Sequence, residues 1–345
     1  MIPHNVLVIV FADNACAQLG IILPLTKLEA EGKIRTKMYT TGMASLDAVA
    51  WADVVVLQRV FSHLDMEILL EARKQNKPVI YDIDDNLLDV PLSLGPIAEL
   101  YADEGVRHNI RMFLTLATLV KTSTVPLAQA LAPFTQNPPF VLSPMNPDEL
   151  YAPVRHSHDN VFRFIYAGNA ENYHAVEKLA GRAIQRIMED YGDKVHFYFF
   201  GGVFRELRLG EKNATFIPLL PMHQYMKVLI ASTADGAIAC LEDSAFNRCK
   251  SNVKFREYGA RGLAGLYSNI PVYAEWVEHE QTGLLVENTE ASWYSAMKYL
   301  VDHTEDARRM GKNARLFAEN NFRLENYAHA WMDQILTPLL SSRSG

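Results

Sequence analysis

Short apolar runs alternate with amphipathic segments along most of the chain. Apolar runs of roughly four to eight residues are typical of buried strands, and apolar repeats at i, i+3 and i+4 are typical of helices. Strands are predicted at residues 6–11, 53–57, 78–82, 119–124, 138–143, 162–167, 195–200, 215–218, 234–241, 270–273 and 284–286. Helices are predicted at residues 20–31, 65–75, 175–188, 222–232, 292–302, 306–320 and 322–336. Strands that alternate with helices predict an α/β protein, and the polar, aperiodic stretch 151–160 is the predicted hinge between two halves.

One stretch, residues 234–262, combines a predicted strand, a polar loop and the start of a helix. Residues 242–250 lack periodicity and are predicted as the loop. Ser251 and Asn252 are favourable N-cap residues, and helical spacing begins at Val253. This order places the N-terminus of a helix directly after a loop at the carboxyl end of a strand.

The residues around this helix start favour an anion. Lys250 and Lys254 flank the start, and free backbone N–H groups with the positive end of the helix dipole attract phosphate. Glu257 lies one turn further on and could accept hydrogen bonds from a ribose diol. The pattern indicates a nucleoside diphosphate site, but an amphipathic surface helix with solvated lysines explains it equally well.

Composition limits the class of protein. A length of 345 residues predicts two domains, and 49% hydrophobic residues are enough to fill two cores. The net charge of −7 argues against a general nucleic-acid-binding protein. Three cysteines without metal-like spacing suit a reducing compartment, and none has the context of a nucleophile. The apolar N-terminus is predicted to be a first strand and not a signal peptide, and no apolar run approaches the ~20 residues of a membrane span. A soluble, cytoplasmic protein is predicted.

Two other predicted strands end in charged residues. Arg59 and His63 follow the strand at 53–57; Arg59 is a ligand or a surface ion-pair partner, and His63 caps a helix or binds an acceptor. Asp82, Asp84 and Asp85 cluster at the end of the strand at 78–82. Carboxylates gathered in this way bind a cation, accept from loop amides, or hold sugar hydroxyls.

The C-terminal half resembles a known enzyme class. The segments KSNVKFREYGARG and IPVYAEWVEHEQTGLLVENTEASW resemble the donor-site region of bacterial glycosyltransferases of the GT-B fold, close to the group 1 or GT4-like class. Residues 144–148, Pro-Met-Asn-Pro-Asp, resemble the PN…D signature of this class at the crossing between domains, where turn formation is their first role. The resemblance is thinner in the N-terminal half.

The resemblance implies an architecture and a reaction. Two Rossmann-like domains would face each other across a cleft: an acceptor-side domain at 1–152, a donor domain at 153–321, and a C-terminal helix at 322–345 that returns to the first domain. A sugar would pass from a UDP- or GDP-sugar to a saccharide, lipid-linked or other hydroxyl acceptor, with retention of configuration. No metal and no cofactor is implied. The reaction would belong to surface polysaccharide or glycoconjugate synthesis. It would take place in the cytoplasm or at the inner face of the membrane.

Roles for single residues follow from the resemblance. Lys250 and Lys254 would neutralise the leaving diphosphate, and Glu257 would bind the ribose. The remaining donor-side residues are Gly168, Asn169, Asn247, Ser251 and Asn252. The acceptor-side residues are Arg59, His63, Asp82 and Asp85.

One departure from the class leaves alternatives open. The class has two glutamates eight positions apart; Glu257 matches the second, but Cys249 stands at the first, and Glu242 and Asp243 are the nearest replacements. The incomplete pair favours a non-catalytic nucleotide- or sugar-binding protein as an alternative. Asp82-x-Asp84 also matches the short DxD pattern of metal-dependent GT-A glycosyltransferases, a weaker alternative.

Overall fold

The computed structural model describes residues 3–157, 159–168, 173–201 and 213–341. The chain divides into two compact units. The first contains the residues up to Met145, the tripeptide Cys249–Ser251, and the residues from Leu324 onward. The second contains Asn146–Arg248 and Asn252–Arg323. The divisions therefore lie a few residues from the predicted ones after residues 152 and 321.

Twelve strands are present in the described residues, numbered in chain order. They are β1 (His4–Val10), β2 (Ile34–Thr40), β3 (Val54–Gln58), β4 (Val79–Ile83), β5 (Leu119–Thr122), β6 (Phe140–Val141), β7 (Phe162–Ala167), β8 (Val195–Phe200), β9 (Ala214–Ile217), β10 (Gly236–Ala239), β11 (Ala264–Ser268) and β12 (Leu284–Val286).

The α-helices of the same residues are also numbered in chain order. They are α1 (Ala15–Ala17), α2 (Leu23–Ala30), α3 (Leu46–Trp51), α4 (His63–Lys74), α5 (Pro96–Ala102), α6 (Glu104–Leu116), α7 (Val125–Leu131), α8 (Tyr173–Val176), α9 (Arg182–Tyr191), α10 (Met222–Ala231), α11 (Ala245–Arg248), α12 (Val253–Ala260), α13 (Pro271–Ala274), α14 (Glu290–Asp302), α15 (Thr304–Asn321), α16 (Leu324–Ala330) and α17 (Thr337–Ser341). Three π-helical segments, Gln18–Ile22, Glu177–Gly181 and Trp331–Leu336, adjoin α-helices, and shorter 3₁₀ turns occupy Leu92–Leu94, Ala132–Phe134, Asp148–Tyr151 and Gly192–Lys194.

The first unit is built on a parallel six-stranded sheet in the order β2-β1-β3-β4-β5-β6. Its central strands are buried on both faces, which explains their continuous apolar runs. The C-terminal helices pack on this unit: the Tyr327 hydroxyl and the Trp331 indole N–H both donate to the Gly20 carbonyl, at 2.9 and 3.2 Å. Gly20 is therefore held by structural hydrogen bonds.

The second unit is built on another parallel six-stranded sheet, in the order β12-β11-β10-β7-β8-β9. On β8, Phe197 and Phe199 are buried whereas His196 and Tyr198 are half-buried, which gives this strand the alternation that predicts it. Phe197 stacks on Phe164 of β7 with ring centroids 5.0 Å apart, so aromatic rings fill the core between neighbouring strands.

Two element predictions are wrong. The strand predicted at 270–273 is helix α13, because Pro271 occupies its first turn, where its missing N–H has no cost, and the strand of this region is β11. The loop predicted at 242–250 contains α11, whose residue Asn247 donates its backbone N–H to the Ser244 hydroxyl at 3.1 Å.

Among the described residues, no helix combines the length and the hydropathy that crossing a bilayer requires.

Candidate active site

Helix α12 lies in the core of the second unit because glycine lets it approach α15. A Cβ atom at Gly259 would lie 3.1 Å from the Ala314 carbonyl oxygen and 3.4 Å from the Ala318 Cβ. Gly262, with φ of +65°, then turns the chain away from the helix. The predicted helix start at Val253 is confirmed.

Asn146 fixes the middle of α12. Its side-chain amide donates to the Arg256 carbonyl at 2.8 Å and to the Tyr151 hydroxyl at 3.2 Å, and it is fully buried. The Tyr151 hydroxyl in turn donates to the Ala318 or the Phe322 carbonyl, each 3.0 Å away. The Asn-Pro-Asp segment therefore does more than form a turn, since it holds the backbone next to Glu257.

The Glu257 carboxylate is buried and carries two donors on one oxygen. Lys254 Nζ donates to Glu257 Oε2 at 2.8 Å, and the Tyr225 hydroxyl donates to the same oxygen at 3.1 Å. The Lys254 ammonium also lies 5.4 Å from the Tyr225 ring centroid and 5.9 Å from that of Tyr258. A lysine has three N–H donors, so Lys254 can bind Glu257 and an anion together.

Tyr258 ties α12 to the carboxyl ends of two strands. Its hydroxyl accepts from the Ala167 N–H at 3.2 Å and donates to the Ile238 carbonyl at 3.3 Å. Burial and then the Glu257 charge hold the pKa of Tyr258 well above its ordinary value, so the hydroxyl keeps its proton. The start of α12 is thereby placed beside the ends of β7 and β10, where parallel sheets bind ligands.

Gly168 follows β7 directly, and a side chain there would collide. A Cβ atom at Gly168 would lie 2.6 Å from the Tyr166 hydroxyl. Its N–H donates to the Phe200 carbonyl at 3.1 Å, which joins the ends of β7 and β8. The next candidate, Asn169, lies outside the described residues.

Asn252 occupies the N-cap position of α12, but its side chain makes no capping hydrogen bond. Its side-chain Nδ2 is buried and has no hydrogen-bond partner among the described residues. A buried amide without a partner is costly, and the first-turn N–H groups of α12 are not occupied by this side chain. Within the described ranges, the start of α12 therefore has a buried donor, Asn252 Nδ2, that no other residue uses.

In the loop after β10, both acidic candidates for the replacement of the missing glutamate form ion pairs. Glu242 accepts from Lys178 Nζ at 2.6 Å, and Asp243 makes a two-bond pair with Arg248 at 2.6 and 2.7 Å. The Asn247 side chain donates to the Glu242 carbonyl at 3.0 Å, so Asn247 shapes the loop.

In the first unit, the acidic cluster at the end of β4 is paired with cations. Asp85 accepts from Lys250 at 3.1 Å and from Arg59 at 3.2 Å, and Arg59 Nε lies 3.3 Å from an Asp84 oxygen. Burial would raise the pKa of Asp85, but Lys250 and Arg59 outweigh it and lower that pKa. Arg59 has a φ of +56°, an uncommon left-handed conformation for a residue with a side chain.

Asp82 does not fit the predicted acceptor role. Its side chain is 2% exposed and accepts from Lys121 Nζ at 2.6 Å, whose own side chain is 1% exposed. The Asp82 carboxylate is thus committed to a buried ion pair. The capping role considered for His63 is also wrong, because the Ser62 hydroxyl caps α4 and His63 is an exposed first-turn residue.

The three cysteines are free thiols. Burial raises the pKa of Cys16, Cys240 and Cys249, so none is favoured as a thiolate nucleophile. Within the described ranges, no group of three or more His, Cys, Asp and Glu side chains is arranged to hold a metal ion.

The predicted lysines are divided between the two units. Lys250 and Ser251 belong to the first, whereas Lys254, Asn252 and Glu257 belong to the second. Tyr225 was missed by sequence reasoning, since nothing in its helix of mixed composition signals a contact with Glu257.

Three solved structures resemble the chain over nearly its whole length. HepE from Anabaena, in complex with UDP and glucose, aligns with a TM-score of 0.67 at 14% identity, covering 97% of this chain and 100% of its own. Sucrose-phosphate synthase from Thermosynechococcus elongatus aligns with a TM-score of 0.66 at 16% identity, covering 98% and 100%. A proposed UDP-N-acetylglucosamine 2-epimerase from Listeria monocytogenes aligns with a TM-score of 0.59 at 14% identity, covering 96% and 95%. The chain has the GT-B fold.

The predicted fold class is therefore confirmed, and the GT-A fold of the weaker alternative is wrong; independence of a metal stays a prediction. No protein-family model and no curated protein sequence matches the chain. Membership of the GT4-like class stays a prediction.

Proposed function

We propose that this protein is a glycosyltransferase that moves a sugar from a UDP- or GDP-sugar to an acceptor hydroxyl. The observation that carries the proposal is the start of α12, where the Lys254 ammonium, the buried Glu257 carboxylate and the Asn252 amide, which has no partner among the described residues, lie within two turns. A diphosphate is bound by cations and N–H donors, and a ribose is bound by a hydrogen-bond acceptor. This short segment contains groups of both kinds.

Each donor-side residue has a role in the proposal. Lys250 and Lys254 would stabilise the charge that develops on the leaving diphosphate. Ser251 and Asn252 would donate hydrogen bonds to it, and Glu257 would accept from the ribose. Gly168 and Asn169 would face the diphosphate, and Asn247 would act by shaping the loop before α12.

The acceptor side of the proposal rests on the first unit. Arg59, Asp85 and His63 would contact a saccharide, lipid-linked or other hydroxyl acceptor. Asp82 is not proposed as an acceptor residue, because its carboxylate forms the buried ion pair with Lys121. We further propose transfer with retention and without a metal, in surface polysaccharide or glycoconjugate synthesis, in the cytoplasm or at the inner face of the membrane. The support for these finer points is the sequence resemblance.

Nucleotide binding tests the proposal most directly. We expect UDP or GDP to raise the thermal unfolding temperature and ADP to do so less, because a ligand at 100 times its Kd stabilises a fold by ~2.7 kcal/mol. The matching nucleotide-sugar should then be hydrolysed slowly without an acceptor, at a rate unaffected by EDTA. If neither UDP nor GDP shifts the unfolding temperature, the donor assignment is lost; an EDTA-sensitive rate would remove the metal-free mechanism.

Removal of the Glu257 carboxylate should weaken nucleotide binding. We expect Glu257→Ala to raise the Kd for the preferred nucleoside diphosphate about 10-fold or more, since a hydrogen bond to a charged group contributes ~1.5–3 kcal/mol. Titration calorimetry measures the change. Glu275→Ala is the matched control, because Glu275 is an exposed carboxylate of the same unit. Equal Kd values for Glu257→Ala and the native protein would refute the ribose role.

A second candidate function is a non-catalytic nucleotide- or sugar-binding protein of the same fold. The observation that favours it is the incomplete glutamate pair: Cys249 stands at the first position, and the nearest carboxylates, Glu242 and Asp243, form ion pairs with Lys178 and Arg248. Release of nucleotide from a nucleotide-sugar separates the two functions: a protein that binds the donor and never turns it over is the binding protein.

A further inference from the structure

Tyr225, on α10, contacts the proposed donor site through Glu257. Its hydroxyl lies 3.1 Å from Glu257 Oε2, although the two residues are 32 positions apart in the chain. The Tyr225 ring packs edge-on against Phe200 at the end of β8, with centroids 5.7 Å apart. The ring is therefore held at the end of a central strand, and its hydroxyl is directed at α12.

In this contact, Tyr225 is the hydrogen-bond donor and Glu257 is the acceptor. Burial, and then the neighbouring Glu257 charge, hold the pKa of the Tyr225 phenol well above its ordinary value. The phenol keeps its proton at neutral pH and acts as the donor, while the carboxylate accepts. A hydrogen bond to a charged acceptor is shorter and stronger than one between neutral groups.

Two donors on one oxygen restrict how Glu257 can turn. Lys254 Nζ and the Tyr225 hydroxyl both donate to Oε2, at 2.8 and 3.1 Å, and they come from different helices. Oε1 accepts from no residue in the part of the chain that the structure describes. The carboxylate is therefore held with one oxygen occupied and the other available to a ligand.

We propose that Tyr225 is a positioning residue that aims Glu257 Oε1 at a ribose hydroxyl and so sets the preference of the donor site for ribonucleotides over deoxyribonucleotides. The inference rests on the proposed function, since it needs a nucleotide at the start of α12. Lys254 alone holds the carboxylate less well, because a lysine side chain has four rotatable bonds whereas the tyrosine hydroxyl is fixed by a packed ring.

A purely structural role for Tyr225 predicts a different effect of its loss on the Kd values for UDP and 2′-deoxy-UDP. If Tyr225 only fills space between α10 and α12, its loss weakens the binding of UDP and of 2′-deoxy-UDP by the same factor. If it aims Glu257, its loss weakens UDP more than 2′-deoxy-UDP, because only UDP has the hydroxyl that Glu257 reads. The ratio of the two Kd values separates these roles.

The experiment compares Tyr225→Phe with the native protein and with Tyr294→Phe. Tyr225→Phe removes one oxygen and keeps the ring, its Phe200 contact and its contact with Lys254. Tyr294→Phe is matched, because the Tyr294 hydroxyl also donates to a carboxylate, Asp190, at 2.6 Å, but outside the candidate site. Kd values are measured by calorimetry for UDP, 2′-deoxy-UDP and 3′-deoxy-UDP, or for the guanosine series where GDP binds.

We expect the native protein and Tyr294→Phe to prefer UDP over at least one deoxy analogue about 10-fold or more. In Tyr225→Phe the preference should fall to about 2- to 3-fold, and Tyr225→Phe should have no further effect on the ratio in a Glu257→Gln background. A native preference that Tyr225→Phe retains overturns the inference alone. Absence of native preference, or of any binding to UDP and GDP, overturns the ribose role of Glu257 and this inference with it.

A second variant covers loss of stability in Tyr225→Phe. Difluorotyrosine at position 225 keeps the ring and the hydroxyl but makes the phenol a stronger donor. It should increase the preference for UDP, and an unchanged or smaller ratio counts against the positioning role.

Discussion

Lys254→Ala is expected to lower kcat for sugar transfer by about ten- to a thousandfold, the range found when one stabiliser of transition-state charge is removed. Charge builds on the diphosphate as the sugar leaves, and the Lys254 ammonium is fixed beside the start of α12 by Glu257. The larger effect should fall on kcat, because the charge is greater in the transition state than in the bound donor.

Lys250→Ala should give a loss in the same range. Lys250 is held by Asp85 in the first unit, so the two lysines are positioned by separate carboxylates. Lys227→Ala is the control, since Lys227 is an exposed lysine on α10, and it should retain native kcat. Native kcat/KM in both Lys250→Ala and Lys254→Ala would remove the assignment of the diphosphate to these residues.

The parts of the fold that sequence patterns predict well have clear local patterns. Strands β7 and β8 begin and end at their predicted residues, because β7 has a nearly continuous buried run and β8 alternates buried phenylalanines with the half-buried His196 and Tyr198. The predicted start of α12 also holds, because helical spacing begins at Val253, although Asn252 at the N-cap position makes no capping hydrogen bond.

The parts that were missed have weak local patterns. Strand β2, with sequence IRTKMYT, lies at the edge of its sheet and is mostly half-buried or exposed, so it has no apolar run. Strand β11, with sequence AGLYS, is fully buried, but it is short and begins with small residues. Ile-Pro-Val-Tyr at 270–273 is more apolar than either and still forms a helix, because Pro271 favours the first turn of a helix and this signal outweighs the apolar composition.

In the candidate site, too, some contacts can be predicted from the local sequence and others cannot. Lys254 and Glu257 are three positions apart on one helix, so helical geometry alone predicts their contact. The partners that orient them or change their chemistry lie far away in the chain: Tyr225 for Glu257, and Asp85 for Lys250. Pairs of this kind have no local pattern, because the fold and not the spacing brings them together.

The buried pair of Asp82 and Lys121 carries the largest expected effect on stability. Lys121→Met should lower the free energy of unfolding by about 3–5 kcal/mol, because it leaves the Asp82 carboxylate buried without its cation. The Lys121 ammonium also lies 5.5 and 5.7 Å from the ring centroids of Trp331 and Tyr327, so the same substitution weakens the packing of the C-terminal helices. Urea unfolding followed by circular dichroism measures the loss.

The double variant Lys121→Met with Asp82→Leu tests whether the loss comes from an unpaired charge. Removing both charges leaves no buried ion to solvate, so the double variant should recover most of the stability lost in Lys121→Met. Lys74→Met is the control, because Lys74 pairs with Glu71 at the surface of the same unit and such pairs contribute ~0–1 kcal/mol. A loss below ~1 kcal/mol in Lys121→Met, or a double variant less stable than both single ones, would show that Asp82 is not held as a buried ion, and Asp82 would then return to the residues considered for the acceptor.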